Sequence, residues 1–265
     1  MTDPARTTNP AAPLAGRTAV VTGASSGIGA ASARALAAQG ATVVLVGRRA
    51  ERVTELAADI VAAGGAAHPL ACDVTAEGAA PEIVDRTLEL TGGVQIMVHS
   101  AGLFEPVAVG DGAVAAMDRM YRTNARAPLA LTEAALPHLG TGSSVVIISS
   151  ICAFTAFGAG TAYSASKGAV AAMVAGLAVE LGPRGIRVNA IAPGEVQTEM
   201  NEPSYAADPT YLPRMIAATP LRMAAEPADI ASVVAFLAGD DARFVHGTTI
   251  VADGGLTVSL PSAGR

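Results

Sequence analysis

Tyr163 and Lys167 stand four residues apart in TAYSASKGAV, residues 161–170. On an α-helix that spacing puts both side chains on one face, one turn apart. An ammonium beside a phenol stabilises phenolate and draws a tyrosine pKa down from about 10, toward the working range of a general acid or base. Composition sharpens the point. The chain has 17 basic residues, and 16 of them are arginine, so Lys167 is its only lysine. A guanidinium is bulkier, planar and a poor substitute for a compact ammonium in a proton relay. With four tyrosines in 265 residues, a lone lysine would reach this spacing by chance in about 4 of 265 placements.

Ser150 ends the apolar run SSVVIISS (143–150), 13 residues before Tyr163. The carboxyl ends of parallel strands line a ligand crevice, so both hydroxyls can meet one substrate oxygen. Asn124 lies in a long helical stretch as a poor helix former. It either faces solvent or holds a water or a backbone carbonyl near Lys167.

A second site is written at the other end. VTGASSGIG (21–29) sets three glycines between a strand pattern and a helix pattern. Gly23 permits a tight turn, while Gly27 and Gly29 let backbone and helix approach a pyrophosphate at a helix N-terminus. The expected phosphate loop is Gly23, Ser25, Ser26, Gly27, Ile28 and Gly29. The next strand ends in Gly47, Arg48 and Arg49, where an acidic residue would bind a ribose 2′-hydroxyl. Two guanidiniums there match a 2′-phosphate, so NADP(H) is the expected cofactor and NAD(H) the alternative. Asp73, just past the third strand and followed by Val74, either caps the loop at the adenine or makes a plain turn.

These residues need elements to position them. Strand patterns at 17–23, 42–47, 66–74, 94–102, 143–150, 186–194 and 248–255 alternate with helical ones at 27–39, 50–63, 79–91, 113–139, 163–181 and 228–238. Pro69 is expected to make the third strand irregular, and Pro128 to kink the long helix. Residues 195–227 hold five prolines and little periodicity, which predicts a mobile flap. Strands without polar alternation, each followed by a helix, indicate a parallel sheet buried on both faces. The expected fold is α/β: a single-domain Rossmann fold, with a doubly wound seven-stranded parallel sheet and helices on both faces. The domain is expected over 15–258, between a flexible tail at 1–14 and a short tail at 259–265.

The totals exclude several classes. A net charge of −6 argues against a nucleic-acid or anionic-membrane surface. No apolar run is expected to span a bilayer, and the first 16 residues lack the apolar region of a secretory signal. Two cysteines, Cys72 and Cys152, make no disulfide framework and fit a reducing cytoplasm. No metal is expected.

Together these motifs resemble the short-chain dehydrogenase/reductase family over residues 15–258. The matching residues are Thr22-Gly23, Gly27 and Gly29; Asn124, Ser150, Tyr163 and Lys167; Pro193-Gly194 with Thr198; and Asp253-Gly254-Gly255. The resemblance implies an NAD(P)(H)-dependent oxidoreductase in which Tyr163 is the general acid/base and Ser150 orients the carbonyl. Lys167 would bind the nicotinamide ribose, and Asn124 would support a water relay. Pro193, Gly194, Val196 and Thr198 would position the nicotinamide. Where the family usually has Asn-Asn-Ala-Gly, this chain has His99-Ser100-Ala101-Gly102, and Ser100, Ala101 and Gly102 are expected at the cofactor. His99 reads as a structural histidine.

The flap bears on substrate. Glu195, Gln197 and Glu199 suggest a polar compound, and Met200, Met215 and Met223 an apolar pocket. AADPTYLPRMIAATPLRM resembles the flaps of sugar-acid and 3-oxoacyl reductases. The expected reaction is reversible NADPH-dependent reduction of a small-molecule ketone to a secondary alcohol. NAD-dependent alcohol or sugar-acid oxidation, and a non-catalytic NADP(H) sensor or scaffold, are the alternatives. Small residues at Ala165, Ala169, Ala172 and Gly176 on the Tyr163 helix, with the family's habit of pairing this helix between subunits, predict a homotetramer, with a dimer as the alternative.

Overall fold

The computed structural model describes residues 12–259. Of the expected tails at 1–14 and 259–265, residues 1–11 and 260–265 lie outside the described residues. The last part of the N-terminal tail is packed, because Leu14 is fully buried and its N–H donates to the Gln39 carbonyl at 2.9 Å. The packed chain therefore starts before residue 15.

Seven parallel strands run β1 (Thr18–Thr22), β2 (Thr42–Gly47), β3 (Ala66–Ala71), β4 (Ile96–His99), β5 (Ser144–Ile148), β6 (Arg187–Pro193) and β7 (Thr249–Ala252). They form one sheet in the order β3-β2-β1-β4-β5-β6-β7. Side chains alternate across it. Val21, Val43, Leu45, Ile96, Val98, Val146 and Ile191 join one core, under helices α1 (Gly27–Ala38), α2 (Ala50–Ala62) and α9 (Pro227–Ala238). Their neighbours Val20, Val44, Val46, Met97, Val145, Ile147 and Val188 join the other, under α3 (Ala79–Thr91), α5 (Ala127–Ala135) and α6 (Thr161–Leu181). Burial on both faces is why the strands read as unbroken apolar runs. The strand order reverses between β1 and β4, which opens a crevice at their carboxyl ends.

Two expectations change. β3 runs in regular register through Pro69, paired with Leu45. It is the edge strand, and since the Cys72 N–H points to Gly47 O, the period of two turns position 69 away from β2, where no N–H is needed. The long helix begins as α4 (Ala113–Tyr121) and runs on through Pro128 as α5. It widens one turn earlier into a π-helical segment, Arg122–Arg126, with the Ala127 N–H bonded to Arg122 O. Pro128 brings no N–H, and its ring would crowd the carbonyl four residues back, so the wide turn sits where the regular ladder fails. The flap holds two short helices, α7 (Glu202–Ala207) and α8 (Tyr211–Ala218), and a bridge between Val196 and Ala225 closes its base.

One helix among the described residues, within Thr161–Arg184, is long and apolar enough to cross a membrane by length and composition, contrary to expectation. It is α6, and it buries Ser166, Lys167, Val170, Val174 and Leu177 against the sheet.

His99 is structural, as expected. It is buried at the end of β4 with Nε2 at 3.0 Å from Thr132 Oγ1. Thr132 donates its own proton to Pro128 O, so Nε2–H of a neutral ring is the donor to Thr132. Burial lowers the His99 pKa from 6.5 to about 4. Between those values the unfolded chain takes up a proton that the native ring refuses, so stability falls as pH falls. The loss amounts to about 3 kcal/mol across the window. Replacing His99 by Asn should flatten that slope. Thermal midpoints of both proteins from pH 7 to pH 4 test it; parallel curves would show that His99 is not the titrating group.

Candidate active site

Lys167 is 4% exposed, and its Nζ donates to Ile148 O at 2.9 Å. Ser149 Oγ donates back to Lys167 O at 3.3 Å, so helix α6 and the end of β5 are fastened at this point. Burial lowers the Lys167 pKa to about 8, and the nearby Cys152 opposes that shift. Its ammonium lies 5.7 Å from the centre of the Tyr163 ring.

Ser150, next along, is the N-cap of a single 3₁₀ turn, Ile151–Ala153. Its Oγ accepts from the Cys152 N–H at 3.1 Å and lies near enough to the Tyr163 phenol to draw its pKa down. Three of the four expected catalytic residues therefore meet at one sheet edge. The expected depression of the tyrosine is not found. Burial, then Cys152, push the Tyr163 phenol upward, while Ser150 pulls the other way. The phenol is thus held in its protonated form, as a donor.

Asn124 is 1% exposed, which removes the solvent-facing reading. Its Oδ1 accepts from the Leu103 N–H at 2.7 Å; its Nδ2 donates to Leu103 O at 2.9 Å and to Ser166 Oγ at 3.0 Å. The π-turn thereby clamps the strand following Gly102 beside α6. A Cβ on Gly102 would lie 3.7 Å from Asn124 Oδ1 and 4.0 Å from Lys167 Nζ.

At the switch point, Thr22 Oγ1 accepts from the N–H groups of Ser100 and Ala101, both at 3.2 Å. Gly23 has φ +67°, and a Cβ there would lie 2.6 Å from Ala101 N; one on Gly29 would lie 2.2 Å from Gly23 O. Only glycine lets these three backbones meet. Helix α1 starts at Gly27 behind Ser26, whose side chain makes no capping bond, and the first turn of α1 has no acidic residue. A cradle shaped by absent Cβ atoms, at an uncapped helix N-terminus, fits a dinucleotide pyrophosphate. Gly27, with φ +52°, faces the Thr198 side chain, 3.2 Å from where its Cβ would be. Ile28 packs against the core behind it.

Asp73 makes the plain turn: Oδ1 accepts from the Thr75 N–H at 2.9 Å and from Thr75 Oγ1 at 2.7 Å. Partial burial raises its pKa, but the Thr75 bonds and Arg48 outweigh it, leaving the carboxyl below its usual value. Val74 lies with Thr22, His99 and Ala101 around the base of the crevice. Arg48 and Arg49 are exposed at the end of β2, and Arg49 bonds to Ser25 and Glu199. Pro193 and Gly194 press on the last motif, since a Cβ on Gly194 would come within 2.8 Å of Asp253 Cα. Val196 is buried at the flap base.

The flap carboxylates do not serve as open substrate contacts. Glu195 is buried; its Oε1 accepts from Tyr205 at 2.6 Å and Asn201 at 3.1 Å, and its Oε2 from Tyr211 at 3.1 Å. Burial first, then Glu195, raise both tyrosines, Tyr211 to about 12. Sequence reading missed this cluster, although two of only four tyrosines in the flap were a signal. It also missed Phe104, whose ring meets Tyr163 edge-on at 4.9 Å and Phe157 at 5.9 Å. Cys152, beside Ser150, was noted only as a free thiol; burial raises its pKa most.

A family model described as enoyl-(acyl carrier protein) reductase matches residues 23–257. An oxidoreductase of Methylorubrum extorquens is 40% identical, over 92% of this chain and 98% of that protein. An A-factor type gamma-butyrolactone 1'-reductase (1S-forming) of Streptomyces virginiae is 38% identical, over 92% and 97%. The crystal structure of a short-chain dehydrogenase from Burkholderia cenocepacia in complex with NADP superposes with a TM-score of 0.86. It is 35% identical, over 92% of this chain and 99% of that one.

Proposed function

The chain belongs to the short-chain dehydrogenase/reductase family, and on that premise we propose an NADP(H)-dependent ketoreductase that turns a ketone into a secondary alcohol, reversibly. Membership makes it an oxidoreductase of CH–OH and C=O groups. The observation that carries the finer reading is the meeting of Ser150, Tyr163 and Lys167 at the carboxyl end of β5. Tyr163, kept protonated, donates its proton to the carbonyl oxygen, and Ser150 orients that oxygen. Bound at the crevice, reduced nicotinamide supplies the hydride. Lys167 and the residues Pro193, Gly194, Val196 and Thr198 would hold its ribose and ring, with Asn124 fixing the Leu103 strand beside them. Gly23 to Gly29 would cradle the pyrophosphate. Asp73, Val74, Ser100, Ala101 and Gly102 would line the rest of the cofactor's path.

Arg48 and Arg49, without a carboxylate at the end of β2, support NADP(H), and so does the bound NADP of the B. cenocepacia relative. One observation favours the NAD(H) reading, since Glu199 already engages Arg49. On the substrate side, Phe104 beside Tyr163, with Phe157 packed behind it, supports a carbonyl flanked by an apolar group. The S. virginiae reductase name supports the reductive direction.

We extend the reading to a cytoplasmic homotetramer, with a dimer as the alternative. The free thiols Cys72 and Cys152 support a reducing compartment. The α6 face bearing Ala165, Ala172, Gly176 and Val179 is exposed, as are Phe236, Phe244 and Val251 near the β7 edge.

Three outcomes are expected. Tyr163→Phe should lower turnover of ketones by about 10³-fold while NADPH fluorescence titration stays unchanged. Retained turnover would take the acid role from Tyr163. Replacing Arg48 by Asp and Arg49 by Ala should shift the NADPH-over-NADH preference in kcat/KM by about tenfold or more. An unchanged ratio overturns the NADP(H) reading. Light scattering should give four times the 26.3 kDa chain mass; a monomer at micromolar concentration refutes tetramer and dimer alike.

A further inference from the structure

Arg49 is tied to two parts of the chain at once. Its Nε and Nη2 donate to Ser25 Oγ at 3.3 and 3.2 Å, Nη2 also donates to Ser25 O at 3.2 Å, and Nη1 donates to Glu199 Oε2 at 2.8 Å. Ser25 belongs to the glycine loop, and Glu199 is the residue after Thr198, where the chain enters the flap. Ser26 and Arg52 lie close enough to the same carboxylate to favour its charge. One guanidinium therefore joins the end of β2, the nucleotide loop and the flap entry.

We propose that Glu199 is a latch that competes with a 2′-phosphate for Arg49. Binding a 2′-phosphorylated nucleotide unfastens the flap entry from the nucleotide loop, whereas a 2′-hydroxyl nucleotide leaves it fastened. This rests on the NADP(H) reading above. The reason is donor supply. A guanidinium presents five N–H groups in one plane, and Ser25 already takes the Nε side of Arg49 while Glu199 takes Nη1. A phosphate seeking a paired bond on this fork meets a carboxylate of its own sign. Both side chains of the pair are about two-fifths open to solvent (44% and 41%), so the pair can exchange with a competing anion. The flap's other fastenings do not involve Arg49. Glu195 with Asn201, Tyr205 and Tyr211, and the Val196–Ala225 bridge, remain, so release is confined to the entry segment around Thr198 to Met200.

The test titrates the full chain and its Glu199→Gln variant with 2′,5′-ADP and with 5′-AMP by calorimetry. Hydrogen–deuterium exchange of peptides covering 196–205 is followed at saturation. The unaltered chain should prefer 2′,5′-ADP. Glu199→Gln should gain about fivefold for 2′,5′-ADP and nothing for AMP. In the unaltered chain, 2′,5′-ADP should speed exchange in 196–205 relative to AMP; in the variant, exchange should be fast with either. Equal gains for both nucleotides, no gain, or slower exchange with 2′,5′-ADP overturns the latch. If the unaltered chain does not distinguish the nucleotides, the NADP(H) reading fails and takes the latch with it. If it does distinguish them and the variant gains nothing, the latch alone fails. The exchange arm on the unaltered chain needs no substitution to fold.

Discussion

An ammonium held out of water is the constraint around which this site is arranged. Burying a charge costs several kcal/mol unless dipoles replace the lost water. For Lys167 the replacement is the Ile148 carbonyl, available because it faces β4, whose pairing with β5 has already stopped at His99 opposite Ile147. The strand must therefore stop where the helix passes, and Ser149 ties the two together. Once that crossing is set, the next residue of the strand, Ser150, and the preceding turn of the helix, Tyr163, have little choice of position. Proximity of acid, orienting hydroxyl and cation follows from one crossing of strand and helix.

The second constraint is backbone contact at the switch point. Thr22 takes the two N–H groups that follow β4, and Gly23 sits against Ala101 with no room for a side chain. This brings the glycine loop and the Ser100–Gly102 segment together, and Asn124 then fixes Leu103, at its far end, to α6. The π-turn is the joint between them. Without it, the side chain at 124 would leave the helix at another angle. The two halves of the site are thus linked through hydrogen bonds of a single amide.

What the sequence made legible is what depends on period and on local chemistry. Unbroken apolar strands, the glycine spacing, the lone lysine and Ser150 at a strand end each signal their place without knowledge of neighbours. What was not legible depends on who the neighbours are. Pro69 looks disruptive until β3 is known to be an edge, and Pro128 looks like the kink although the strain is taken up one turn earlier. An ammonium one turn away reads as a downward pull on Tyr163, whereas burial, a property of the assembled core, pushes the phenol upward.

The flap shows the same lesson in its sharpest form. Three acidic or amide residues after Gly194 read as hydrophilic contacts for a substrate. In the fold, Glu195 is enclosed by Asn201, Tyr205 and Tyr211, and Glu199 is held by Arg49. Both carboxylates spend their acceptors inside the protein, one securing the flap helices and the other the flap entry. Polar residues in a loop can fasten it as readily as they can recognise a ligand, and only the partners distinguish the two uses. With those groups engaged, the side chains set against Tyr163 are the rings of Phe104 and, behind it, Phe157. The polarity of the flap therefore describes how the flap is fastened, while an aromatic wall is what stands beside the Tyr163 ring.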